Sequence, residues 1–272
     1  YEYQQMPGID HLGRNINDVL TAKQLSSAAH QFDRKLTLSE MYGCAGWNFT
    51  FDGMKWIADW HYALGVNFVN QHLSWYSMRG ERKRDYPTCF NYQSSWWKYY
   101  KTMGDYITRA TFATSQGKYI ADVLVLHPST SGWALYSPIA TGATGKLSDN
   151  FVSLIMALQS SQIDYDFGDE MIIARHGKIS GAKFIVNKMS YSTVLIPSEI
   201  TLRSTTAALL KTFIANGGKV VSIDPAPAML DGDKPFKLEG VESADGNASA
   251  IAKLIPHLKH HVDLKAVKGG TD

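Results

Sequence analysis

Three short apolar runs near the start of the chain each end in polar residues. MPGID stops at Asp10 and His11, RKLTLSEM at Ser39 and Glu40, and VNFVNQHLSW carries Gln71 and His72. The segments between them repeat apolar residues at three- and four-residue steps, the period of an amphipathic helix. NDVLTAKQLSSAAHQF has Asn17 or Asp18 as its N-cap. TFDGMKWIADWHYALG places Met54, Ile57, Ala58 and Ala63 along one side, with Thr50 or Asp52 at its start and Gly65 where a helix ends. SSWWKYYKTMGDYITRATFATSQG reads as one long amphipathic helix closing at Gly117. Strands alternating with helices predict parallel βα units. In such units functional residues gather at the C-terminal ends of strands, where all three polar pairs fall.

From about Lys118 the pattern changes. YIADVLVLHP and STVLIPS are continuous apolar runs, as buried parallel strands are. SDNFVSLIMALQSSQIDYDFGDE predicts a helix leading into the short strand IDYDF. RSTTAALLKTFIANGG predicts a helix stopped by Gly217 and Gly218, before the strand KVVSID. The expected fold class is therefore α/β throughout. The predicted domains are 1–117 and 118–272, the second a doubly wound parallel sheet. It has no G-x-G-x-x-G and no P-loop, so no nucleotide site is expected. Neither of its strand-to-helix turns carries a cysteine or fits G-x-S-x-G, so no nucleophile is assigned there.

Composition narrows the class. The 272 residues are 44% hydrophobic and 19% charged, with a net charge of +2, the profile of a globular protein with a sizeable core. RGERKR, residues 79–84, is the densest basic patch and is too short to argue for nucleic acid. Nothing approaches the run of about 18 apolar residues that a membrane helix requires. Cys44 and Cys89 have no metal-ligand spacing and read as free, partly buried thiols. Asn48 and Asn247 open N-x-S/T triplets, a short motif that chance supplies often. The start at Tyr1 and the end KGGTD predict a piece of a longer protein.

Six of the seven tryptophans lie in the first hundred residues, and several follow the strand ends. Glu40 is followed by Tyr42, Trp47, Phe49 and Phe51. A lone strand-end glutamate is commonly just solvated, but apolar rings beside a carboxyl favour its protonated form, as a general acid requires. Alternation puts Asn70, His72 and Ser74 on one face of the third strand and Val69, Gln71 and Leu73 on the other. His72 then reads as a substrate contact beside Glu40, although a lone histidine is more often a satisfied core residue. Asp10 and His11 are weaker candidates, because Pro-Gly-Ile-Asp also reads as a turn. Trp47, Trp75 and Tyr76 offer flat faces of the kind that stack on sugar rings. Trp56, Trp60, Trp96 and Trp97 sit at helical spacings and are expected to pack. Arg79 and Arg82 read as a solvated loop.

SEMYGCAGWNFTFDGMKWIADWHYALGVNFVNQHLSWYSMRG resembles the end of the catalytic barrel of glycoside hydrolase family 106, the α-L-rhamnosidases. MPGIDHL, SSAAHQF and YITRATFATSQGKYIADVLVLHP are similar to the same family in the same order. STVLIPSEITLRSTTAALLKTFIANGGKVVSID resembles the glutamine-amidotransferase-like or flavodoxin-like domain that follows the barrel there and in the family 42 β-galactosidases. The resemblance implies the C-terminal βα units of a (β/α)8 barrel followed by a flavodoxin-like domain. It makes Glu40 a catalytic carboxylate and Asp10, His11, Trp47, Asn70, His72, Trp75 and Tyr76 substrate contacts. It implies a carbohydrate substrate, a periplasmic or extracellular setting, no organic cofactor, and room for a calcium ion with no ligands assigned. The family's second carboxylate lies upstream of this chain. Three βα units cannot close a barrel, so open edges that self-associate are expected. The alternatives are a retaining β-galactosidase-like enzyme with Glu40 as nucleophile, or a sugar-binding module without catalysis.

Overall fold

Gly8–His11 (β1), Leu38–Met41 (β2) and Phe68–Gln71 (β3) form a three-stranded parallel sheet in the order β1-β2-β3. They belong to the first of two units, Tyr1–Tyr119 and Ile120–Asp272, in a computed structural model that describes residues 1–84, 86, 89–245 and 253–265. The register aligns Ile9, Ser39 and Val69 across the sheet, then Asp10, Glu40 and Asn70, then His11, Met41 and Gln71. Residues in one row of a parallel sheet share a face, and successive rows alternate. Ile9, Met41 and Val69 all belong to buried apolar clusters. Their face is therefore the one that the helices cover, and the Asp10–Glu40–Asn70 row lies on the other.

The covering helices form where the apolar spacing predicts. Val19–Gln31 (α1) starts at Asp18, whose side chain accepts from Thr21 N at 3.1 Å. Phe51–Ala63 (α2) starts at Thr50, whose hydroxyl accepts from Gly53 N at 3.2 Å, and the chain leaves it through Gly65 at φ +84°. Tyr100–Thr114 (α3) is shorter than the single long helix expected. Trp97–Tyr99 forms a separate 3₁₀ turn, because Trp96 and Tyr100 turn inward against Phe90 and Phe51 while Trp97 stacks on Tyr100. The third strand is also shorter than VNFVNQHLSW. After Gln71 the chain makes one more ladder bond, His72 N to Met41 O at 2.8 Å, and then leaves the sheet. Trp56 is exposed rather than packed, Trp97 is exposed although it stacks on Tyr100, and Cys44 is exposed while Cys89 is buried, both as free thiols. Asn247 lies outside the described residues.

The second unit holds a five-stranded parallel sheet in which every strand but the last was expected. It contains Val123–Leu126 (β4), Ser129–Leu135 (α4), Gly142–Ser160 (α5), Tyr165–Gly168 (β5) and Glu170–His176 (α6). Gly177–Ser180 (β6), Lys183–Val186 (β7) and Met189–Tyr191 (β8) follow as an antiparallel meander. The sequence patterning misses this meander, although Gly181 and Asn187, both at positive φ, mark its two tight turns. Next come Thr193–Ile196 (β9), Thr201–Leu202 (β10), Ser204–Ala215 (α7), Lys219–Ile223 (β11), Met229–Leu230 (β12), Lys234–Pro235 (β13) and Glu242–Ala244 (β14). The large sheet runs β14-β11-β9-β4-β5. Numbered by chain order, its strands lie as 2-1-3-4-5.

Buried polar residues tie α2 to the first sheet. His61 is fully buried, with Nδ1 2.8 Å from Ile57 O and Nε2 3.2 Å from Ser39 Oγ. Burial pushes the His61 imidazole down to about 4, with nearby His11 acting the same way and the Ile57 carbonyl opposing. Unfolded His61 takes up its proton near the ordinary value of 6.5, so between pH 6.5 and 4 the unfolded state binds more protons. This contribution to stability is present above pH 6.5 and is lost as pH falls toward 4, to the extent of roughly 3 kcal/mol. Denaturant unfolding followed by tryptophan fluorescence should show that fall, and His61→Gln should flatten it. Equal slopes for the two proteins would remove His61 from the account.

Candidate functional site

The row Asp10–Glu40–Asn70 lies near the C-terminal ends of three neighbouring parallel strands, on the face away from the helices. Asp10 and Asn70 are exposed, and the Glu40 side chain is 36% exposed. His72 joins them one residue past β3. Its Nε2 lies 4.0 Å from Glu40 Oε1, its side chain is 12% exposed, and its buried Nδ1 has no hydrogen-bond partner among the described residues. The ring of Tyr86 lies 5.7 Å from the His72 ring. A carboxyl beside an imidazole can hold or pass one proton and hydrogen-bond a polyol.

The loop after Glu40 is held in an unusual shape. Tyr42 and Cys44 have φ of +77° and +59°, a region that non-glycine residues enter at a cost of order 1–3 kcal/mol. Burial of the Tyr42 ring offsets that cost. The ring packs between Phe49 and Phe90, and its hydroxyl donates to Met54 O at 3.0 Å. Gly13 N donates to Gly43 O at 2.7 Å, joining this loop to the one after β1. Arg14 completes the link. Its guanidinium donates to Ala45 O and Asn48 Oδ1 and lies over the Phe49 ring. Sequence reasoning missed Arg14, because both its acceptors lie about thirty residues further along the chain.

The other candidates are placed differently. His11 points to the helix side, 6% exposed, with Nε2 2.7 Å from Asn15 O and its ring 4.7 Å from His61 and 5.3 Å from Trp60. Strand parity separates it from Asp10, its immediate neighbour. Trp47 is 39% exposed and meets the buried Trp75 edge-on at 5.3 Å. Asn91 Nδ2 donates to Trp75 O at 3.1 Å and fixes that turn. Tyr76 is fully exposed. Among the described residues no group of three or more His, Cys, Asp and Glu side chains could hold a metal ion.

Carboxylates at the C-terminal ends of parallel strands are a feature of barrel enzymes. The solved structures agree. A rhamnosidase from Novosphingobium sp. PP1Y matches at TM-score 0.62 and 18% identity, covering 85% of this chain and 22% of that one. A β-galactosidase from Rahnella sp. R3 matches at 0.57 and 13%, covering 85% and 35%. At these identities the likeness shows the fold alone. Residues 10–244 match the glycoside hydrolase family 106 profile, described as alpha-L-rhamnosidase, and the chain belongs to that family. A Formosa agariphila protein named "Putative beta-glucuronidase" is 26% identical over 215 residues. The chain spans 16% of that relative's length and 22% of the Novosphingobium chain.

Gly43 lets the loop pass between two side chains. A Cβ there would stand 2.6 Å from Leu12 Cδ2 and 2.7 Å from His72 Cδ2. Gly43→Ala should push the His72 ring away from Glu40 and lower stability by about 1–3 kcal/mol, the range for overpacking. Histidine ring resonances in NMR report both effects. An unmoved His72 signal in a fully stable variant contradicts this packing.

Proposed function

We propose that this chain is the C-terminal part of the catalytic barrel of an α-L-rhamnosidase-type glycoside hydrolase, followed by a flavodoxin-like domain. The observation that carries the reading is Glu40 itself. It stands at the C-terminal end of a parallel strand, on the helix-free face, with Asp10 and Asn70 in its row and His72 4.0 Å away. The 2-1-3-4-5 strand order of the second unit supports the flavodoxin-like assignment.

In this scheme Glu40 is the general acid of an inverting hydrolysis. It gives its proton to the glycosidic oxygen as the C–O bond breaks, while a second carboxylate takes a proton from the attacking water. Asp10 is a poor second carboxylate. It sits on the adjacent strand, in the same row and on the same face as Glu40, whereas an inverting pair flanks the bond from opposite sides at roughly 6.5–9.5 Å. In this scheme the second carboxylate comes from another part of the parent protein. Asp10, Asn70 and His72 hydrogen-bond the sugar hydroxyls, and Trp47 covers an apolar face of the ring. The outer edges of β1 and β3 pair with the missing barrel strands or, in the isolated chain, with another copy. Sedimentation of the isolated chain as a single monomer contradicts the last point.

Hydrolysis of aryl α-L-rhamnosides and β-galactosides by the parent protein tests the assignment. Glu40→Gln should lower kcat on the rhamnoside by about 10²–10⁴-fold, the usual worth of a general acid. Activity preserved in that variant removes Glu40 from catalysis. Turnover of the galactoside alone, lost in Glu40→Gln, points to the retaining alternative. Binding without turnover in both proteins points to a sugar-binding module.

A further inference from the structure

The strand order of the second unit puts its switch point between β4 and β9, where the sheet's direction of winding reverses. Open α/β sheets characteristically leave a ligand crevice outside the carboxyl ends of the strands at that point. Here the place is filled by the protein's own side chains. Beyond β4 the chain reaches Ser131 on α4, and beyond β9 it reaches Glu199, 0% and 1% exposed. Ser131 Oγ lies 3.3 Å from Glu199 Oε2 and accepts from the amides of Ile200 and Thr201, each at 3.1 Å. Its single proton is shared between Glu199 and Thr201 O, 3.1 Å away. Glu170, the first residue of α6, is 2% exposed, and its Oε2 accepts from Arg203 N at 2.7 Å.

Oε1 of Glu170 and Oε1 of Glu199 are both buried with no hydrogen-bond partner among the described residues. A carboxylate this thinly bonded is costly to keep ionised in the interior, and two coupled ones more so. Among the described residues no ion pair neutralises either carboxylate. α4 carries no ionisable residue. Arg203 lays its guanidinium over the Trp133 ring, 6.0 Å to the centroid, with Nε unpartnered. Asp231 accepts from Ser204 N and Asp169 caps α6, both adding negative charge. His127, past β4, turns Nδ1 to Ser129 Oγ at 2.6 Å. On α6, Arg175 and His176 lie in its last turn, at the far end from Glu170.

We infer that Glu199 is held as the neutral acid beside Glu170, and that this retained proton latches the 198–203 crossover to α4 and α6. Loss of the proton at alkaline pH releases the crossover. Burial, then the charge of Glu170, pushes the Glu199 carboxyl well above its ordinary value, against the smaller pull of Ser131. The unfolded state releases this proton near the ordinary carboxylate range, and the folded state holds it to higher pH. The contribution to stability is thus complete at acid pH and is lost as pH rises toward the folded value.

Amide hydrogen exchange of the whole chain reads the latch directly at Ile200, Thr201 and Arg203. After correction for intrinsic rates, their protection should fall up to about tenfold for each pH unit as pH rises from the ordinary carboxylate range toward the folded value, and level off above it. Glu199→Gln should abolish that dependence. Glu170→Gln, which removes the like charge that raises the Glu199 carboxyl, should end the pH dependence at lower pH and serves if the first variant does not fold. The same pH dependence in the wild type and in both variants overturns the inference. So does protection restored at alkaline pH by added calcium in the wild type alone, which would make a metal ion the neutralising partner.

Discussion

The candidate site depends on one backbone constraint, the parallel register of β1, β2 and β3. A slip of one residue in any strand would exchange its two faces, burying the carboxylate and exposing the core. The register is fixed below the site. Asn67 Oδ1 accepts from Thr37 N and Thr37 Oγ1 accepts from Asn67 N, each at 3.1 Å. Asn67 Nδ2 also donates to Lys35 O at 2.8 Å, and Thr37 Oγ1 donates to Gly65 O at 2.8 Å. These bonds join the entries to β2 and β3 to each other and to the end of α2. Stability is thus concentrated at the N-terminal ends of the strands, leaving the C-terminal ends free to carry polar groups.

Above the sheet, strain is balanced by burial. Tyr42 and Cys44 bend the loop after Glu40 back toward the loop after β1, and a ring core of Tyr42, Phe49 and Phe90 holds the bend. Arg14 reaches across from the neighbouring loop to close it. Glu40 therefore projects from a rigid strand, and the residues after it are fixed from two sides. A site that must present one carboxyl to a ligand gains from that arrangement, because less order has to be imposed on binding.

Period and parity made much of this legible in the sequence. The three βα units, each cap to within a pair of residues, and the strand-end positions of Asp10 and Glu40 follow from local pattern. Grouping His11 with Asp10 ignored the alternation that sends neighbours to opposite faces. The helix stretch from Ser94 to Thr114 broke at Trp97–Tyr99 because aromatic packing against Phe90 and Phe51 overrode helical spacing. The role of Arg14, the burial of Trp75 and the electrostatic coupling of Glu170 to Glu199 arise from segments distant in sequence, and no local pattern encodes them. The hairpins between Gly177 and Tyr191 were encoded, in turns at Gly181 and Asn187.

The two units make different use of the same architecture. In the first, the C-terminal ends of the parallel strands present polar side chains on an uncovered face. In the second, the corresponding region is closed over by Ser131, Glu199 and Thr201. The central claim is that the uncovered face is where the sugar binds. The most direct measurement is a crystal structure of the parent protein with L-rhamnose bound. The account predicts the ring over the Asp10–Glu40–Asn70 row, with a hydroxyl or the anomeric oxygen within hydrogen-bond reach of Glu40. A rhamnose ring bound elsewhere, with that row contacting no sugar, would contradict it.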